Sequence, residues 1–207
     1  APPADVADRA EISGYPGAIR TWSDKPSEGF HADAKKTALR EIEALRPDDE
    51  SGQAAKAHFL ERVGLDVELH DAGLDTGHLN VIASPVQSVR QVFDLMPTDT
   101  PQQWAMLGER LAKVPGAIEG IKASMRDAAG RGQLAARRQV TKVAEQCETW
   151  SGANGSEPFF RTLIEGQPQL ESAADAASAA YADMAVFLRE IAGQAPAKDA
   201  VGQDVYK

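Results

Sequence analysis

The sequence predicts an all-α protein, an irregular N-terminal arm followed by a bundle of six or seven helices. Three observations carry this. Apolar residues recur at three- and four-residue spacing in the long segments after residue 28. Helix start and stop signals bracket those segments. No stretch alternates apolar and polar residues between hairpin turns, so a sheet is not supported. No repeat of fixed period is present, which argues against a solenoid of identical units. A length of 207 residues, with 43% hydrophobic and 26% charged, is enough to bury a sizeable core and excludes a disordered or fibrous chain.

The elements follow in order. Residues 1–27 hold Pro2, Pro3, Gly14, Pro16, Gly17 and Pro26 with little periodicity and form the arm, with Tyr15, Ile19 and Trp22 as its packing residues. A first helix runs from about Glu28 to Leu45, because Leu39, Ile42 and Leu45 share a face and Pro47 closes it; Lys35, Lys36 and Arg40 face water. A second covers Asp49 to about Asp71, with Phe59, Leu60, Val63, Val67 and Leu69 spread over a wide arc, the pattern of a helix buried on more than one side. Gly73 and Gly77 then mark a connection. Residues 79–85 read as extended chain entering a short helix at Pro85, with Ser84 as its cap and Val89, Val92 and Phe93 inward.

Thr100-Pro101-Gln102-Gln103 is a capping-box start, and Trp104, Leu107, Leu111 and Val114 form the stripe behind it. Pro115 opens a helix carrying Ile118, Ile121, Met125 and Ala128. After the Gly130/Gly132 break, Ala136, Val140, Val143, Cys147 and Trp150 repeat the pattern. Residues 159–164 form a short apolar turn, and a last long helix spans about Leu170 to Ile191 on Ala173, Ala177, Ala180, Met184, Phe187 and Ile191. The chain thus divides into an arm (1–27), a helical domain (28–195) and a tail (196–207). The tail's Val201, Val205 and Tyr206 read as the start of a missing C-terminal region.

Charge and cysteine content narrow the partners. With 22 basic and 31 acidic side chains the net charge is -9, which argues against a phosphate-backbone binder, so nucleic acid is not an expected partner. Residues 101–150 nevertheless carry 8 basic and 5 acidic side chains, either a basic face or a solvated surface paired with acids elsewhere. A single cysteine forms no internal disulfide and suits the reducing cytoplasm. No run reaches the ~18 apolar residues that cross a bilayer, and no leader precedes Ala1, so no membrane role is expected.

No catalytic constellation is legible. Gly130-Arg131-Gly132-Gln133-Leu134-Ala135 matches a dinucleotide pattern, but that pattern needs a preceding strand and here follows a helix, so it reads as a helix-to-helix turn. His31, His58, His70 and His78 form no His-Glu-x-x-His helix; His58 with Glu61, and His70 with Asp66, make pairs too small for a zinc site. Cys147 lies on an apolar stripe and reads as a buried, inert thiol. Trp22, Trp104 and Trp150 are spaced as core anchors. Asn154-Gly155-Ser156 is formally a glycosylation acceptor and otherwise a turn.

One run of residues carries a resemblance. Leu79-Asn80-Val81-Ile82-Ala83-Ser84-Pro85-Val86-Gln87-Ser88-Val89-Arg90-Gln91-Val92-Phe93-Asp94-Leu95-Met96-Pro97 closely resembles a segment of bacterial domain-of-unknown-function family 885, common in actinobacteria. His58-Phe59-Leu60-Glu61-Arg62, Ala135-Ala136-Arg137-Arg138-Gln139-Val140 and Ala200-Val201-Gly202 resemble the same family in the same order, covering most of the chain from about residue 28.

The resemblance implies a larger helical zinc metallopeptidase, similar to thermostable metallocarboxypeptidases, with a His-Glu-x-x-x-His-type helix in a C-terminal part that this chain lacks. It implies zinc in that missing part, no cofactor or metal in residues 1–207, and no catalytic residue here. The chain's partners would be the remainder of its own polypeptide and a peptide substrate, for which it supplies a cleft wall. Cleft-lining candidates are Asn80, Ser84 and Arg90; equally, Asn80 and Ser84 cap the helix at Pro85 and Arg90 pairs with an acidic neighbour. The competing reading is a self-contained helical binding module without catalysis, engaging a partner through the Trp22 arm or the basic 101–150 face.

Overall fold

A computed structural model of the chain describes residues 27–73, 77 and 79–199. The arm residues Tyr15, Ile19 and Trp22, and Val201, Val205 and Tyr206 of the tail, lie outside the described residues. Among those described there is no strand, and seven helices of seven residues or more are joined by one of five. They are α1 (Ser27–Ala44), α2 (Glu50–Asp71), α3 (Pro85–Gln91), α4 (Pro101–Leu111), α5 (Val114–Gly130), α6 (Arg137–Ser151), the short α7 (Phe159–Leu163) and α8 (Glu171–Ile191).

Local chemistry sets these boundaries. Asp49 accepts the Gly52 amide at 2.6 Å and so starts α2. At α4 the capping box forms as the residues predict: Thr100 Oγ1 accepts the Gln103 amide at 3.3 Å, and Gln103 Oε1 accepts the Thr100 amide at 3.0 Å. Between α5 and α6, Gly132 takes a left-handed φ of 70° while the Gln133 amide returns to Ala128 O at 2.8 Å. That is the hydrogen bonding of a helix C-terminus, so the glycines of the dinucleotide-like pattern serve the turn.

The core is organised around α8, which packs on α6, α5, α7 and α4. Because neighbours lie on several sides, its buried stripe is broader than the one read from the sequence: Ala174, Tyr181 and Leu188 join Ala177, Met184, Phe187 and Ile191. Arg137, at the start of α6, donates from Nε to Ala192 O at 3.1 Å and from Nη2 to Ala195 O at 3.3 Å, covering carbonyls that α8 leaves open at its C-terminus.

One expectation fails. Read as buried on more than one side, α2 has no buried residue; Phe59, Leu60, Val63 and Val67 are half-buried, and Leu69 is 47% exposed. Its main neighbour is α1, and a hairpin of two helices has too little facing surface to enclose a wide apolar arc. Lys35 and Lys36, rather than simply facing water, reach across to Asp66 at 2.9 Å and Asp71 at 2.6 Å. The hairpin meets the rest of the chain where α1 touches α5 and where Gln133 Nε2 donates to Ala72 O at 3.2 Å. Among the described residues no helix is long and apolar enough to cross a membrane.

Candidate functional site

The segment from Leu79 to Pro97 forms a tight polar structure instead of the extended run expected at residues 79–84. Asn80 is the cause. Its Oδ1 accepts the amides of Ile82 at 2.8 Å and Ala83 at 2.7 Å, while its Nδ2 donates to Ala83 O at 2.7 Å. A side chain that satisfies three backbone groups of the next three residues bends the chain on itself. Ser84 then turns extended, at φ -145°, and Pro85 opens α3 with no amide to satisfy.

Ser84 occupies the cap position, but its hydroxyl makes no bond to the helix amides; it donates to Gln87 Oε1. Gln87 is 2% exposed, and its Nε2 donates to Asn80 O and to Gln146 Oε1, both at 2.8 Å. Gln146, on α6, donates in turn to Val81 O at 3.0 Å. The two glutamines stitch the turn to a helix 59 residues away in sequence, with buried Gln87 finding a partner on each of its polar atoms. Sequence reasoning missed both. Gln87 had a signal, standing three residues after Ser84 in the first turn of its helix, whereas the pairing with Gln146 is long-range and leaves no local mark.

Arg90 lies one turn along α3 from Val86 and is set among aromatic rings. Its guanidinium sits 4.6 Å from the centroid of Phe159 and 5.4 Å from that of Trp150, and it pairs with Asp94 one turn on. The side chain is 19% exposed and its Nε is buried without a hydrogen-bond partner. Behind it, Trp150 and Phe160 pack on Tyr181, whose hydroxyl donates to Val86 O at 2.8 Å. Of the three sequence candidates, then, Asn80 and Ser84 belong to one hydrogen-bonded brace. Arg90 stands apart from it on the aromatic side of the same helix.

The titratable groups nearby are locked in their neutral or paired forms. Burial pushes the Tyr181 hydroxyl well above its ordinary value, with Cys147 adding to the effect and Arg90 opposing it, so it remains a donor. Burial also raises the Cys147 thiol, and Glu148 beside it raises it further. With the side chain fully enclosed, Ellman's reagent is expected to titrate no thiol in the native chain and one after denaturation in guanidinium. A fast native reaction would show that the stripe carrying Cys147 opens to solvent.

The basic stretch 101–150 is mostly paired within the chain. Lys122 is 6% exposed beneath Glu119 and Asp183; burial by itself would lower its pKa, but hydrogen bonds to those two carboxylates prevail and raise it. Arg131 pairs with Asp127, Arg138 with Asp199 and Lys142 with Glu145, while Arg126 lies 5.0 Å over the Phe187 ring. These residues follow the second reading of that stretch, a surface with acidic partners.

The described residues do not fit a zinc ion. Among those described, no three His, Cys, Asp or Glu side chains stand together to hold a metal. His58 is exposed on α2 and His70 lies in its last turn, while His31 and His78 fall outside the described side chains. No curated protein matches the chain. A single family accounts for nearly the whole sequence: residues 9–207, and with them every helix described above, match the group described as bacterial protein of unknown function (DUF885), and the chain belongs to that family.

Proposed function

We propose that the chain is the N-terminal helical portion of a zinc-dependent peptidase or related hydrolase, acting in the bacterial cytoplasm. It forms one wall of the substrate cleft, and its metal ligands stand on polypeptide outside the described residues. The likeness of residues 79–97 to a segment of the DUF885 family, whose members resemble helical metallopeptidases, supports the reading. The observation that carries it is the brace of Asn80, Ser84, Gln87 and Gln146, which ties that same segment to α6 through buried Ser84 and Gln87 and half-buried Asn80 and Gln146. Such groups contribute less to stability than apolar packing does, and in this reading their role is to keep one shape at the cleft wall.

In this role Arg90 presents a fixed cation to a peptide carboxylate or carbonyl, with Asn80 and Ser84 setting the turn at the head of its helix. The apolar residues that α2 leaves half exposed, Leu65 and Leu69, support a second point: the remainder of the same polypeptide covers them. The self-contained binding module loses ground on one side, because the basic side chains it would use are largely engaged within the chain.

The test compares the intact native gene product with the 207-residue chain on a quenched fluorescent peptide library. The native product is expected to be longer, to cleave peptides, and to lose activity to a chelator and regain it with zinc. The short chain is expected to cleave nothing and to bind no stoichiometric zinc. Zinc-dependent cleavage by the short chain, or a native product of 22.1 kDa without hydrolysis, would overturn the proposal.

A further inference from the structure

A groove of about 460 Å³ opens between the start of α4 and the single 3-10 turn Pro168–Leu170 that precedes α8. Its floor is apolar. Trp104 and Leu170 line it, and Leu170 seats directly against Gly108, where a Cβ would come within 2.6 Å of Leu170 Cδ2. A side chain at 108 would displace the end of Leu170 from this seat.

The rim is polar and negative. Asp99 stands at its edge; its backbone amide donates to Gln103 Oε1 at 2.6 Å, but its carboxylate has no partner among the described residues. Across the groove, Gln169 Nε2 donates to Gln167 Oε1 at 2.7 Å. That leaves the Gln167 side-chain NH2 and Gln169 Oε1 without a partner among the described residues. The groove-lining residues include no basic side chain, and the capping box engages the Thr100 and Gln103 amides at the start of α4, which disfavours an anion there.

We infer that this groove binds an arginine or lysine side chain of a peptide. The alkyl stem lies on Leu170 and the cation on the Trp104 ring beside the Asp99 carboxylate. The free edges of Gln167 and Gln169 take the peptide's own carbonyl and amide. The groove binds in this way whether or not the whole protein hydrolyses peptides.

The test is a titration of the 207-residue chain, followed at the Trp104 indole resonance in proton–nitrogen spectra and assigned through Trp104→Phe among the three tryptophans. The probes are Nα-acetyl-arginine N-methylamide, its norleucine counterpart and agmatine. Saturable binding of the arginine amide is expected, with affinity about fivefold weaker in Asp99→Asn, the effect of losing one exposed ion pair. Norleucine amide and agmatine are expected to bind more weakly than the arginine amide. Equal affinity for norleucine amide or unchanged affinity in Asp99→Asn would refute the cation assignment. Agmatine binding as tightly as the arginine amide would refute the peptide assignment, and absence of a saturable shift would refute both.

Discussion

Replacing Phe160 with alanine is expected to lower the melting temperature by about 6–20 °C, corresponding to a loss of about 3–5 kcal/mol in a chain of this size. Phe160 is fully buried at the meeting point of three rings, 5.1 Å from Phe159, 5.5 Å from Tyr181 and 5.6 Å from Phe93. It is also the buried residue of α7, a helix of five residues that has little cohesion of its own. Truncation therefore leaves a phenyl-sized void and releases α7 from α8 at the same time. Phe160→Leu keeps much of the volume and is expected to cost less than about 2 kcal/mol, which separates lost packing from lost ring geometry. Circular dichroism melts measure both. An alanine variant that melts with the parent protein would show that these rings do not hold α7 to α8 and to Phe93 beyond α3.

The second large effect is expected at Gln87. Gln87→Leu is nearly isosteric, yet it strips partners from Ser84 Oγ, Asn80 O and Gln146 Oε1 in a buried setting. Each buried group left unmatched costs about 1–3 kcal/mol, and partial hydration of half-buried Gln146 offsets some of the sum, giving an expected loss of about 2–4 kcal/mol. A double-mutant cycle with Gln146→Leu tests the brace directly. The two substitutions are expected to be non-additive by about 1–2 kcal/mol, since the second removes a group the first has already orphaned. Strict additivity would mean that the two amides act separately and that the turn at Asn80 stands without α6.

Much of the helical architecture was legible because its signals are local. Thr100 and Gln103 mark a start within four residues, Pro97 and Gly132 mark stops, and the 3.6-residue stripe of α5 names its own buried face. What escaped depended on partners far along the chain. The arc of apolar residues on α2 records an appetite for burial but not whether a second neighbour exists to meet it. The apolar run Leu79-Asn80-Val81-Ile82 suggested extended chain, and the hydrogen bonds of one asparagine side chain reversed that. Of the candidate site, the helix start at Ser84 and the pairing of Arg90 with an acid one turn away were readable. The glutamine pair, the rings around Arg90 and the groove at Trp104 were not, since each joins segments tens of residues apart.

The hairpin of α1 and α2 has a further consequence. Its cohesion comes from half-buried contacts and surface ion pairs, whereas α5, α6 and α8 share an enclosed core, so the chain has two tiers of resistance to opening. The hairpin's amides are therefore expected to exchange with deuterium through a low-energy local excursion that leaves the inner helices intact, and limited proteolysis is expected to cut the linker at Pro47 before anything around Tyr181.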